Sequence, residues 1–143
     1  MVAYSFKKQF RAPILAGTKV QTIRADRKRH ARVGEALQLY TGMRTRQCSL
    51  IGQAICQGVI PIKIDLTENC IDLGGSIRRG WGALDPFARN DGFDGWLSMA
   101  CFWRENHPNT SVFSGVLILW RDFIAAIPEK EIARDLTPER FSP

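Results

Sequence analysis

At 143 residues the chain is the size of one domain, long enough to bury a real core. Hydrophobic residues at 45% and charged residues at 24% are ordinary for a globular protein, which excludes a disordered or fibrous chain. The longest apolar run, Val112 to Ile127, is broken by Ser114, Arg121 and Asp122, so no membrane-spanning helix and no membrane partner are expected.

The net charge of +6 is unevenly spread: residues 1 to 46 hold eleven Lys/Arg against Asp26 and Glu35, for +9, whereas residues 47 to 143 sum to −3. A protein polarised in this way draws polyanions such as RNA, or nucleotides, to one side. Cys48, Cys56, Cys70 and Cys101 form no C-x-x-C pair, and neither His30 nor His107 stands at ligand spacing from a cysteine. No metal and no other cofactor is therefore expected, and the thiols read as free in a reducing compartment. Because no charged-apolar-small segment opens the chain, a cytoplasmic protein is expected.

Tyr4-Ser5-Phe6 is extended in pattern, and Phe6, Phe10, Ile14 and Leu15 then fall at helical spacing. Pro13 makes that helix short or broken, and Gly17 stands where a left-handed cap belongs. From Gly17 the periodicity switches to two: Val20, Thr22 and Arg24 share one strand face, Gln21 and Ile23 the other. Ile23 is expected in the core, with Thr22 and Arg24 facing a cleft or solvent. Lys19 can converge with Thr22 only if it still lies in the helix-to-strand turn. Phe6 and Phe10 suit either a core or a stacking platform for a base. The basic stretch Asp26 to Arg32, with Arg27, Lys28 and Arg29, reads as a phosphate-contacting arm or as an ordinary exposed connection ending at Val33-Gly34-Glu35.

Leu37 to Thr41 alternates as a strand and Gly42 to Arg46 as a basic turn. Cys48 to Val59 reads as one strand, or two broken at Gly52, and Pro61 to Asp65 alternates again. Pro61 argues for an edge strand. Strands at this spacing predict a curved sheet or small barrel. Gly74 to Gly82 reads as a mobile surface loop in which Arg78, Arg79 and Trp81 can fold over a bound base. It has no Gly-Lys-Ser/Thr ending and so is no triphosphate cradle. A helix is expected from Leu84, with Asp85 its N-cap and Pro86 its first residue. A second helix follows, capped by Asp94, with Trp96, Leu97, Ala100, Phe102 and Trp103 as its apolar face. Asp91 sits at the interruption between the two, either a simple turn residue or a carboxylate aimed into a cleft. His107-Pro108-Asn109 turns the chain into a central strand from Val112 to Trp120. The domain is expected to span residues 1–125, with an extended tail over 126–143.

Gly17, Lys19, Thr22 and Arg24 resemble the Gly-x-Lys-x-x-Glu-x-Arg signature of the ASCH-domain family, a branch of the PUA-like superfamily. F-x-x-x-F-x-x-x-I-L-A-G before it, Val33-Gly34-Glu35, A-x-x-D-G-F at Ala88 to Phe93 and F-x-G-x-L-I-x-W at Phe113 to Trp120 extend the resemblance over most of residues 4 to 121. It implies an α+β fold, a small PUA-like β-barrel with flanking helices, and a partner that is RNA or a modified nucleoside. Threonine in place of the signature glutamate departs from the general pattern but is similar to small bacterial members that hydrolyse N(4)-acetylcytidine. Their functional lysine and threonine fall on Lys19 and Thr22, and their glutamate on Asp91, one methylene shorter.

Hydrolysis of such an amide needs a nucleophile, a base and a proton donor for the leaving amine. Two routes stand: Thr22 attacks with Lys19 as base, or Asp91 activates water while Lys19 stabilises the oxyanion. Arg24, permanently charged, is assigned to anion or base contact. Against hydrolysis stand a non-catalytic RNA-binding module and a ribonuclease, for which neither histidine lies in a matched motif.

Overall fold

The computed structural model describes residues 1–126. Their order is β1 (Val2–Phe6), a single 3₁₀ turn (Lys8–Phe10), α1 (Arg11–Ala16), β2 (Gln21–Arg24), β3 (Ala36–Thr41), β4 (Ser49–Asp65), β5 (Cys70–Leu73), β6 (Ser76–Arg79), α2 (Trp81–Asn90), α3 (Trp96–Asn106) and β7 (Val112–Ala125). The mixed α+β class is as expected. The tail expected from residue 126 lies, but for Ala126, outside the described residues.

The sheet is built on two long antiparallel strands, β4 and β7, which pair from Gly52↔Ala125 to Asp65↔Val112. Register shifts between Gln53 and Ile55 and between Cys56 and Gly58 interrupt that ladder, and such irregularities bend a strand and raise its twist. The first half of β4 carries β3, to which β1 adds in parallel; its second half carries the β5–β6 hairpin. β2 pairs with the other side of β7, Gln21↔Leu119 to Arg24↔Val116. Closing this sheet into the expected barrel would require β1 to pair with β2, and no ladder joins them. The fold is therefore a seven-stranded curved sheet left open along one seam, not a closed barrel.

Two apolar clusters form the core. One joins Tyr4, Phe6, Phe10, Ile14, Leu37, Ile51 and Trp120; the other joins Ile64, Ile71, Leu84, Trp96, Met99 and Trp103 under α2 and α3. Phe93 and Phe102 pack against both. Their rings and that of Phe10 meet at centroid distances of 5.2–5.4 Å, so an aromatic trio fills the junction between the two cores.

Several local expectations change. Phe6 ends β1 rather than opening a helix, and Leu15 is exposed; Pro13 does leave α1 only six residues long, and Gly17 caps it at φ 80°. Pro61 lies inside β4, between β5 and β7. It is tolerated because pairing with β5 begins only at Ile62, while its carbonyl accepts from Gly74 N at the turn. Its nitrogen thus faces the place where the ladder has run out. Residues 74–82 are not a loop: Gly74-Gly75, at φ 59° and 99°, turns β5 into β6, and Trp81 begins α2. Asp85 is no N-cap of its own helix, since α2 starts four residues earlier. Its Oδ1 instead accepts from Trp96 N at 2.8 Å and caps α3 from across the helix pair, a role expected of Asp94. The buried face of α3 is Trp96, Met99, Ala100 and Trp103; Leu97 points to solvent.

Candidate functional site

The open seam forms a cleft of about 240 Å³. One wall is the end of β1, Ser5 and Phe6, and the other is β2, with Thr22, Ile23 and Arg24; Lys19 and Asp91 lie between them and Phe10, Phe93 and Phe102 line the apolar side. Arg24 bridges the strands that fail to pair, because its Nη2 donates to Ser5 O at 2.7 Å. A side chain thus holds the seam at a fixed width where a ladder would have closed it.

Lys19 arrives from the turn after α1, before β2 begins, as convergence with Thr22 required. It is only 3% exposed. Its Nζ donates to Asp91 O at 2.6 Å and to Asp91 Oδ1 at 3.4 Å, and stands 4.7 Å from the Phe10 ring centroid. Asp91 is the C-cap of α2, equally buried, and Gly92 follows at φ 96°. A Cβ on Gly92 would stand 3.0 Å from Lys19 Cδ, so glycine serves both the backbone conformation and the passage of the lysine stem. Asp91 is thus the carboxylate of a cleft, not a plain turn residue.

Burial governs the electrostatics. It pulls the Lys19 ammonium below its ordinary value, opposed by Asp91 and assisted slightly by Arg24. Burial also pushes the Asp91 carboxyl up, against Lys19, Gln21 and Arg24. Both shifts run toward the neutral forms, so passing the proton from lysine to aspartate costs less here than in water. Asp91 Oδ1 is shared by Lys19 and, at 3.5 Å, Gln21. Oδ2 takes no hydrogen bond from any described residue, yet no enclosed side-chain oxygen is left unsatisfied; it therefore opens to the cleft.

Arg24 Nε donates to Thr22 Oγ1 at 2.9 Å, which turns the hydroxyl proton away from the guanidinium. Burial lowers the Arg24 pKa to about 10, with Tyr4 opposing and Arg27 adding to the shift, so it stays a cation at neutral pH. Its charge lies 4.8 Å from the Phe6 ring centroid. Phe6, 7% exposed with its edge against Trp120, is a core residue that also lines the cleft. Thr22, at 4% exposed, is buried more deeply than Ile23, which is half-buried and lines the cleft beside it rather than entering the core.

Lys19, Thr22, Arg24, Asp91 and Phe6 therefore come together. Arg27, Lys28 and Arg29 lie on the exposed loop behind Tyr4, with Arg27 4.7 Å from the Tyr4 ring centroid and Arg29 paired to Glu35. Arg78 and Arg79 are exposed on β6, and Trp81 opens α2; none of the three lines the cleft. Gln21, expected on the core side, proves to be the buried amide that holds Asp91. Its polarity on an inward strand face was the signal. Ser5, Lys7, Phe93 and Phe102 also line the cleft, and nothing in their local sequence marks them as site residues. No group of metal-ligating side chains occurs among the described residues.

No family model matches the chain, and no curated protein does. Among solved structures, the crystal structure of ASCH from Zymomonas mobilis is similar at 16% identity with a TM-score of 0.52, over 94% of this chain and 77% of that one. Two point-mutant structures of that protein match at 17% identity and a TM-score of 0.49, over 94% of this chain and 79% and 78% of theirs. The fold is thus shared with an ASCH protein.

Proposed function

We propose that the chain is an ASCH-domain protein that binds a modified nucleoside, free or within RNA, in the seam cleft and hydrolyses an N-acylated cytidine there. The observation that carries the reading is the buried Lys19–Asp91 pair beside Thr22. Burying two charges is costly and a poor way to gain stability, whereas a lysine driven toward its neutral form is a base. The cleft is smaller than the roughly 300–1,000 Å³ of drug-sized sites, which suits one base and its acyl group.

In this reading Lys19, having passed its proton to Asp91, takes the proton of Thr22 as Oγ1 attacks the acyl carbon. Arg24 Nε, already on that oxygen, orients it. Lys19 then protonates the departing exocyclic nitrogen, and cytidine leaves with the acyl group on Thr22. Water, deprotonated by Lys19, attacks the acyl carbon; the bond to Thr22 Oγ1 breaks, Lys19 returns the proton to that oxygen, and the acid leaves. Asp91 Oδ2 is free to accept from the base edge. No hydrogen bond joins Lys19 to Thr22, so the lysine must shift from Asp91 on binding; the water route with Asp91 as base is the competing order of events. The charge of residues 1–46 favours a second reading, a non-catalytic RNA-binding module.

Incubation of the purified protein with N(4)-acetylcytidine, followed by chromatography, tests the proposal. Release of cytidine and acetate is expected. Absence of product at high enzyme concentration removes hydrolysis of this substrate and leaves the binding module.

A further inference from the structure

A second cleft, of about 470 Å³, adjoins the first. The two share Ser5, Phe6 and Lys7, so only the end of β1 separates them. Its other walls are Lys8, Thr41, Gly42, Thr45 and Gln47. The turn that forms its far side is fixed by Thr45 Oγ1 donating to Gly42 O at 2.6 Å, by Gln47 N donating to Thr45 Oγ1, and by Met43 N donating to Ser5 Oγ.

Ser5 and Thr45 are thus engaged in holding the turn, but two lysines and one hydroxyl of the cleft have no partner among the described residues. Lys7 and Lys8 make no ion pair there, nor do Arg44 and Arg46 of the same turn. No acidic residue occurs in residues 1–25 or 36–64, the two stretches that build the cleft. Thr41 is 8% exposed, yet its hydroxyl has no hydrogen-bond partner among the described residues and is not enclosed; it opens to the cleft it lines. Unpaired cations around an available hydroxyl, with no carboxylate among the described residues that line the cleft, suit a phosphate.

We infer that the Lys7–Lys8–Thr41 cleft is a phosphate subsite, so that the preferred ligand is a nucleoside phosphate or a phosphodiester of RNA rather than a bare nucleoside. The inference rests on the base occupying the seam cleft, since contiguity across Ser5–Lys7 then sets the sugar phosphate beside it.

Calorimetric titration with cytidine, cytidine 3′- and 5′-monophosphate and a cytidine-containing trinucleotide tests it, with pyrophosphate added as a probe that carries no base. One monophosphate should bind about tenfold tighter than cytidine. The advantage should vanish in the Lys7→Ala/Lys8→Ala double variant and persist in Lys63→Ala, an exposed lysine on β4. A further gain for the trinucleotide assigns the phosphate to RNA; equal binding of the monophosphate assigns it to a free nucleotide. Equal affinity for cytidine and both monophosphates, or an advantage that survives the double variant, overturns the subsite while leaving the base reading intact. If no cytidine compound binds, amide shifts at Lys7, Thr41 and Gln47 on adding pyrophosphate keep the subsite and remove the base reading. Absence of those shifts overturns the subsite.

Discussion

Lys19 and Asp91 are a liability to the fold that a site can use. Removing one partner leaves the other charge buried, so Asp91→Asn should cost about 3–5 kcal/mol, measured by urea unfolding at pH 7. Replacing both with apolar groups, Lys19→Met with Asp91→Leu, should be neutral or stabilising at that pH while abolishing turnover. The pH dependence has a definite sign. Asp91, raised in the fold, binds its proton more tightly native than unfolded, so stability falls as pH rises from its ordinary value of 3.8 through its raised one. Lys19, lowered, binds its proton less tightly in the fold, so stability returns as pH approaches 10.5. The gap between the double variant and the wild type should therefore be widest between the two and narrow toward acid and alkali.

At the scale of elements, the site depends on the α2–α3 corner, since Asp91 caps one helix and Asp85 caps the next. Asp85→Ala should cost about 1 kcal/mol and lower the melting temperature without changing ligand affinity, because neither Asp85 nor Trp96 lines the cleft; scanning calorimetry with a binding titration reads both. The corner also shows what could be read from residues and what could not. Gly17, the turn position of Lys19, the strand β2 and the interruption at Asp91 follow from local rules: a left-handed cap, a change of period, an Asp-Gly pair. The start of α2 and the partner of Asp85 depend on another helix docking, and no window of sequence holds that. The Gly74-Gly75 hairpin was within reach, since two glycines between short alternating runs mark such a turn; the following Arg-Arg-Gly-Trp masked it.

On the scale of the whole molecule, the open seam is what the chain's pattern did not reveal. Period-two strands predict a curved sheet, but closure depends on whether β1 and β2 find each other, and Arg24 across to Ser5 O takes the place of that ladder. The polarised charge belongs to this scale too. Binding of single-stranded RNA should weaken linearly in log salt, with a slope of about −0.7 per neutralised phosphate, and charge removal in residues 1–46 should flatten it where removal at Arg121 does not. A slope unchanged by Lys7→Ala and Lys8→Ala would place the RNA on some other face.

The claim at the centre is that the seam cleft is a catalytic site and Thr22 its nucleophile. The measurement that meets it most directly is kcat/KM for cytidine release from N(4)-acetylcytidine by wild type and Thr22→Ala, with equal melting temperatures confirming the fold. A fall of about 10²-fold or more is predicted. Turnover by Thr22→Ala at the wild-type rate would contradict the account and hand the chemistry to Asp91 and water.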